Sequence, residues 1–559
     1  MTLCRSFLKK LYTLADKAEG ISGWLPERIV LLLYVLINFV IGYFYHEPWY
    51  DEAEAWQIAK VVPYGKILFY VPHYEGHPPL WHLVLSIPAK LGAPYELSLI
   101  LISICFTAPA VWLMLRYFKI PRLVKWCIPF MYYVCYQYGV ISRPYCMMIL
   151  AFVLLGISYE KRNEKPYFYT LSMFFLCLTS AYGIVIAAGI ALAWCVEIVR
   201  GRKLTDIIKS VTNDKRVWCL TGLLVCAFCV GLLILPVENT YAVGSQSGAE
   251  IRNPFAVRLL YMFTAALPDA VITNVLNFTT SGFLKSVLLD YKHFALAIAI
   301  SLVMWGGIVY IGKKCSTLLE FVIPYSIYGV FAAAVYYATH HQGILFLFLL
   351  YWINCSYCSR NLGNGFLFSY SDTESKSDYA LAGHFIFAIS ICAGVLVGVY
   401  WTLGSCYYEI KENYGPGRYE SAFIKEYHLD EYYVLADWLK MKDDDGNIEY
   451  QYPCLGYYTD NILAYCESMA IMNTGTGENA YTLHAKQSEE ETEAFFAEIR
   501  EQGAPDVLLG QVELSQIYPD DSVNMGMYAL VYCGEYGKVW KAGVDKGMYQ
   551  IYVRRDLLD

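Results

Sequence analysis

Residues 28–45 read RIVLLLYVLINFVIGYFY, and residues 46–59 continue directly as HEPWYDEAEAWQIA. After Arg28 the first stretch stays apolar for nearly the length needed to cross hydrocarbon, about 20 residues. Arg5, Lys9, Lys10, Lys17 and Arg28 stand on its N-terminal side, which predicts a cytoplasmic N-terminus. No small-residue cleavage site follows, and the region ahead is long for a signal peptide, so the segment is expected to stay in the chain. Residues 46–77 then emerge on the outer side.

Working outward, residues 79–91 (PLWHLVLSIPAKL) are apolar but short and contain Pro88. A run of this length suits an interfacial or re-entrant helix better than a span. That reading sets the parity of everything downstream. Further spans are expected near 97–118, 124–141, 145–159, 166–181, 183–199, 218–236, 292–311, 317–338, 343–357 and 384–404, eleven in all with the first. The basic loops 116–125, 161–165, 200–216 and 313–314 then all fall inside, in accord with the positive-inside rule. Residues 237–291 form a long outer loop with an amphipathic stretch at 254–268, and 359–380 form a polar cytoplasmic loop.

Composition agrees. Of 559 residues 57% are apolar and 16% charged, where soluble chains carry roughly 25% charged residues. Mean hydropathy is +0.37. This excludes a disordered chain and an ordinary cytosolic enzyme. The 18 cysteines are scattered, most of them in apolar runs, which excludes a disulfide-stapled scaffold and a zinc array. Residues 410–559 hold 27 acidic against 12 basic residues, near −15, and the first 409 residues sit near +7. The chain therefore divides into a membrane region, 1–404, and an acidic extracytoplasmic α/β domain, 405–559. In that domain 430–442 and 489–502 read as helices, and PCLGYY, PDVLLG, MYALVYC and GMYQIYV read as strands, the last two paired through a short ribbon. Cys406, Cys454, Cys466 and Cys533 have the opportunity to pair outside the cell, and Asn277-Phe-Thr279 is a sequon that matters only in a secretory pathway.

Four features carry chemistry. Asp51 and Glu52 open an amphipathic helix whose apolar side is Ala55, Trp56, Ile58 and Ala59. They point about 100° apart, so one can face a cavity while the other holds the helix. The alternative is a solvated rim or a helix cap. The block His73-Tyr74-Glu75-Gly76-His77-Pro78-Pro79-Leu80 has the histidine spacing of a metal site but not the helix such a site needs, because Pro78 and Pro79 forbid it. A phosphate or sugar contact from His77 or the loop amides fits better. Arg143, in Ser142-Arg143-Pro144-Tyr145, lies between two spans. It either snorkels or clamps a phosphate, whose oxygens a guanidinium matches. His340 and His341 also lie between spans on the same side. Trp49, Tyr50 and Trp56 can stack on a sugar or belt the interface. Cys355 and Cys358 sit in no thioredoxin-like pattern.

Tyr50-Asp51-Glu52-Ala53 after the first span, His77-Pro78-Pro79-Leu80 before the interfacial helix and Ser142-Arg143-Pro144-Tyr145 opening a later span resemble the GT-C superfamily of polytopic glycosyltransferases. The likeness is to the bacterial branch with protein mannosyltransferase-like and aminoarabinose transferase-like members. It covers residues 25–200 best; the later spans and the tail match in layout only. The resemblance implies a multi-pass cell-membrane enzyme that takes a sugar from a polyprenyl-phosphate donor. Transfer is inverting, onto a hydroxyl of a lipid, wall glycopolymer or protein, with no nucleic-acid partner. It implies Asp51 as catalytic base with Glu52 in support; the residues themselves offer His77, Arg143, His340 and His341 for the donor phosphate and Trp49, Tyr50, Trp56, Glu75 and Tyr145 for substrate contacts. Some such enzymes keep a divalent cation beside the acids and others none, so that point stays open. The other classes in contention are a secondary transporter and a non-catalytic polysaccharide assembly or binding protein. Charges gathered at one surface, few ionisable residues within spans and a sizeable outer domain count against transport.

Overall fold

A computed structural model describes residues 2–201, 213–236, 255–276, 291–335, 337–359, 378–436, 441–442, 448–449, 465, 489–510, 512 and 514–558. The sequon at Asn277, most of the 359–380 loop, the strand expected at 453–458, and Cys454 and Cys466 lie outside the described residues. Cys406 and Cys533 are both free thiols.

The chain is mostly helical. Among the described residues six helices are long and apolar enough to cross a membrane: Leu25–Tyr45, Tyr95–Tyr117, Ala181–Val199, Lys215–Leu233, Ala295–Cys315 and Ala388–Lys411. Shorter apolar helices accompany them, among them Tyr145–Ser158, Pro166–Cys177, Leu318–Ala334 and Gln342–Cys358. Their starts follow local chemistry. The Ser180 hydroxyl accepts from Gly183 N at 3.0 Å, and the Asp214 carboxylate accepts from Arg216 N at 3.0 Å. Both satisfy N–H groups that a first turn leaves bare. Glu27, buried in the first turn of the first apolar helix, is held by Arg122 and Trp126.

Two expectations need correction. The continuous helix at 124–141 is broken into a helix at Arg122–Cys127, a 3-10 turn at Ile128–Phe130 and a π-helix at Tyr133–Val140. Pro129 removes one ladder donor. Gly139 then lets the wide π-turns press on the first apolar helix, where an added Cβ would lie 2.3 Å from Asn38 Oδ1. Ser103 Oγ donates to Gly139 O at 2.6 Å and Tyr34 OH to Val134 O at 3.1 Å. The helix expected at 430–442 is also absent where the chain is described. A 3-10 turn at Leu429–Glu431 leads into strand β1 (Val434–Ala436), and 441–442 are strand as well. Parallel pairing buries Val434 and Leu435 on opposite faces of a sheet, and that burial outweighs a weak helical pattern.

The C-terminal sheet has the order β1-β4-β6-β5, with β4 Val507–Leu509, β5 Tyr528–Trp540 and β6 Gly543–Arg554. Strands β2 (Met441–Lys442) and β3 (Ile448–Glu449) form a separate pair. Residues alternate between two small cores. Val434, Val507, Leu509, Ile551 and Val553 pack with Ile424 of the helix Gly417–Glu426. Leu435 and Leu508 face Ile499 of the helix Glu489–Gln502.

The hairpin of β5 and β6 runs beyond this sheet and seats its tip among the long helices. Lys541 and Ala542 make its two-residue turn at φ 45° and 61°, left-handed values that Asn-Gly usually supplies. Contacts hold them there. Lys541 Nζ donates to Asp269 O at 2.6 Å, Thr273 O at 3.0 Å and Gln342 Oε1 at 2.6 Å. Trp540 Nε1 donates to Asn274 Oδ1 at 3.0 Å, and Ala542 N to Ser405 Oγ at 3.2 Å. The seat itself is rigid, because the Asp269 carboxylate accepts from Tyr261 OH, Val275 N and Leu276 N.

The first-loop helix, Tyr50–Val61, is buried from Glu52 to Ala59 rather than on one side. Ala53, Trp56 and Ala59 pack on Trp81, Leu85 and Ala89 of the helix Leu80–Lys90, while Ile58 and Val62 meet Ile67 and Val71. The Leu80–Lys90 helix has 11 residues and is about 16 Å long, against hydrocarbon of about 30 Å.

Candidate functional site

The first turn of the Tyr50–Val61 helix brings its two acids into different surroundings. Asp51 Oδ2 lies 2.7 Å from Arg143 Nη2, with the carboxylate side chain 21% exposed and the guanidinium 11%. Glu52 is 1% exposed. Its Oε1 accepts from Ser142 N at 2.6 Å, and its Oε2 accepts from Trp49 N at 2.8 Å and faces His46 Nε2 at 3.1 Å. One carboxylate thus ties the helix start to the residue before Arg143, and its neighbour meets Arg143 itself.

Around Arg143 the structure gathers most of the residues singled out above. The guanidinium carbon sits 5.5 Å from the Trp49 ring centroid and 5.4 Å from that of Tyr145. Tyr145 is buried, its hydroxyl meets no partner among the described residues, and it stacks on Tyr138 at 4.7 Å between ring centroids. The His340 ring lies 5.7 Å from Tyr145 and 4.2 Å from His341. His341 Nδ1 accepts from Ala338 N at 2.9 Å. Burial pulls the His77 imidazole down to about 4, with the Arg143 charge adding to the effect. His340 and His341 are pulled well below the ordinary histidine value, first by burial and then by neighbouring charge. All three are neutral at pH 7, so they offer hydrogen bonds rather than fixed charge.

Other residues fall elsewhere. Trp56 is a core residue, 3% exposed, with its ring 5.5 Å from Tyr95. Glu75 ends the short helix Val71–Glu75 and is half-buried. His73 Nδ1 donates to Leu235 O at 2.7 Å. Tyr50 begins its helix, and its side chain is outside the described ones.

Behind the site is a buried network that the residue pattern did not announce. His46 Nδ1 meets Glu409 Oε1 at 2.9 Å, and Tyr136 OH donates to the same oxygen at 2.5 Å. Burial alone would lower the His46 pKa, but the charges of Glu409 and Glu52 overcome it and hold it up at about 10. The imidazolium is therefore clamped between a carboxylate six residues along the chain and one on the last long helix. Glu47 accepts from Arg418 N at 2.9 Å, and burial pushes its carboxyl up to about 7. Arg418 also donates to His46 O at 3.0 Å and pairs with Glu96 at 2.5 Å, so the segment after the last long helix is pinned beside the site. The sequence signals were faint: a His-Glu pair closing an apolar run, and one acid near the end of the last apolar helix.

Lys538 on β5 was also missed. It is half-buried; burial lowers its pKa, and the Asp51 charge acts on it in the opposite direction, followed by that of Asp545. Asp51 is thus paired with Arg143, and Lys538 lies within range of its charge. Among the described residues no three His, Cys, Asp or Glu side chains cluster as a metal ion would need, and both Glu52 oxygens are already directed at N–H donors. Compared with the models of known families and with curated proteins, the chain matches none.

Proposed function

We propose that this chain is a GT-C-type membrane glycosyltransferase with an eleven-span region, its site on the outer face and its α/β domain on the same side. In this reading it moves a sugar from a polyprenyl phosphate to an acceptor hydroxyl with inversion. The observation that carries the reading is the partly exposed Asp51–Arg143 pair at the end of the first apolar helix, set beside the buried, neutral His340 and His341. The arrangement supplies what the reaction needs. Asp51 Oδ takes the proton of the acceptor hydroxyl as its oxygen bonds to the anomeric carbon. The bond from that carbon to the phosphate oxygen breaks, and its electron pair leaves with the phosphate. Arg143 receives that charge in bidentate fashion, so the leaving group needs no proton. Neutral His77 and His340, with Tyr145 OH, donate hydrogen bonds to the remaining oxygens. An apolar cleft lined by residues including Met131, Val271, Ile308, Phe346 and Val395 is a suitable bed for an isoprenoid chain. Its wall residue Phe346 packs on Tyr133 at 5.8 Å, in the aromatic set that leads to Tyr145.

The test is purified protein with radiolabelled polyprenyl-phosphate sugars against lipid, glycan and protein acceptors, with and without chelator. Transfer is expected from one such donor. Asp51→Asn is expected to lower turnover by about 10²–10⁴-fold, the usual worth of a general base, with expression unchanged. A binder would be indifferent to that change. Absence of transfer from every donor refutes the reading.

A further inference from the structure

Ahead of the first apolar helix lies the helix Thr2–Glu19, and its residues sort into bands around its axis. Leu8, Tyr12 and Ala15 are buried and point within about 40° of Leu8. They pack with Ala388, Phe385 and Ile391 near the start of the helix Asp378–Lys411. Phe7 and Leu14 point about 100–120° round from Leu8, and Lys10 and Lys17 about 160–180° round in the same direction. Phe7 is 36% exposed and Leu14 55%, and Phe7 meets the Phe385 ring edge-on at 5.5 Å. Lys10 and Lys17 are exposed, and among the described residues neither meets a carboxylate. A protein-facing band, an open apolar band and a basic band thus follow one another around a single helix.

The turn after this helix fixes how the bands face. Arg122 donates to Gly23 O at 2.6 Å and to Ile21 O, and its Nη2 meets Glu27 Oε2 at 2.8 Å. Its own N–H donates to Glu19 Oε1 at 2.7 Å. Gly23 adopts φ 80°, a left-handed value that glycine takes at no steric cost. The open apolar band then runs on through Ile21, Trp24 and Leu25 to Ile29 and Leu32, all of them exposed. Ile29 and Leu32 belong to the first helix of membrane-crossing length, where acyl chains cover such side chains. Trp24 marks the edge of that region, with the Arg116 guanidinium 5.5 Å from its ring, in the manner of an interfacial belt.

Continuity with a lipid-facing surface says what covers Phe7 and Leu14. A standard protein interface needs about 20–30 residues a side, and this narrow band supplies far fewer. The basic band beside it matches the negative charge of phospholipid headgroups. We propose that the Thr2–Glu19 helix is an interfacial anchor for anionic phospholipid, with Phe7 and Leu14 set among the acyl chains and Lys10 and Lys17 on the headgroup phosphates. The anchor stands independently of the sugar-transfer reading. Because the helix packs on Phe385 and Ala388, it also braces the long helix that carries Glu409 to His46.

The experiment places the full chain in nanodiscs of phosphatidylcholine alone or mixed with phosphatidylglycerol and follows hydrogen exchange at the amides of the Thr2–Glu19 helix. Phosphatidylglycerol is expected to slow exchange by about fivefold for each of the two lysines, about 25-fold together, and high salt should shrink the effect. Lys10→Gln with Lys17→Gln should erase the dependence on phosphatidylglycerol while the melting midpoint and the exchange in pure phosphatidylcholine stay as in wild type. Lys10→Arg with Lys17→Arg should keep it. Should the double glutamine variant melt early, each single variant carries the same comparison, with an expected loss of about fivefold. Leu14→Asn should raise exchange in both lipids, and unchanged exchange there overturns the insertion of the apolar band. Equal exchange of wild type in the two lipid mixtures overturns the anionic anchor, as does a lipid dependence that survives the double glutamine change. Protection that ignores lipid and follows protein concentration in detergent assigns the band to a second copy of the chain and overturns it as well.

Discussion

Asp51 and Glu52 are neighbours of the same chemistry, yet conservative amide substitutions should separate them cleanly. Glu52 offers two oxygens to three N–H groups, at 2.6, 2.8 and 3.1 Å. In Glu52→Gln one of those positions becomes an NH2 group, which must face either Ser142 N–H or the pair formed by Trp49 N–H and His46. At least one buried donor then has no acceptor, at a cost of about 1–3 kcal/mol. The His46 imidazolium also loses one of its two anions, and breaking a buried pair typically costs about 3–5 kcal/mol. The two penalties overlap, so the expected loss is about 3–5 kcal/mol in total. Asp51→Asn removes one ion pair whose two side chains are 21% and 11% exposed, where the loss is about 1–2 kcal/mol, between that of an exposed pair and that of a buried one. Denaturant unfolding of the detergent-solubilised protein, followed by tryptophan fluorescence, reads both variants, and transfer from a labelled polyprenyl-phosphate sugar reads turnover. The expected pattern is stability lost at Glu52 and turnover lost at Asp51. A Glu52→Gln protein that unfolds with wild type, or an Asp51→Asn protein that unfolds as early as Glu52→Gln, refutes the division of roles.

Three further outcomes follow from the same geometry. His46 has a folded pKa of about 10 against an ordinary 6.5, so its contribution to stability is complete below 6.5 and is lost as pH rises towards 10; the difference in unfolding midpoint between wild type and His46→Gln should shrink across that window, and a constant difference contradicts the clamped imidazolium. At Gly404 an added Cβ would lie 2.2 Å from the Ala542 Cβ, so Gly404→Ala should push the hairpin tip from its seat and speed proteolysis of the hairpin, and Gly404→Ala with Ala542→Gly should restore protection. Lys541→Met removes the donor shared by Asp269 O, Thr273 O and Gln342 Oε1 and should raise hydrogen exchange at Lys541–Gly543, with a stability loss of about 1–3 kcal/mol; unchanged exchange means the tip is held by its aromatic contacts instead.

Much of the helical layout was legible because spans are written as composition. Long apolar runs bounded by charge need no partner to be recognised, and the helices at Tyr95–Tyr117, Ala181–Val199 and Gln342–Cys358 lie within a few residues of the segments read from hydropathy. The break at 128–140 was less legible. Hydropathy does not distinguish an α-helix from a π-helix, and the close approach that favours the wider turns depends on Asn38, about a hundred residues earlier. Strand β1 was misread because its residues satisfy a helical pattern until a parallel partner at 507–509 is known. For the site, Asp51, Arg143 and the histidines stood out as polar groups beside spans. His46 and Glu409 did not, because they meet each other across hundreds of positions, and no local period records such a contact.

The seat for the hairpin tip is built from Asp269, Thr273, Gln342 and Ser405, all of them made before β5 leaves the ribosome. For as long as synthesis takes to reach Lys541, that notch among the helices stands open with its carbonyls turned towards no donor of this hairpin. Order of assembly is thereby written into the architecture: the long helices can dock early, but the notch at Asp269 is filled only when β5 and β6 arrive, like a keystone set after the arch.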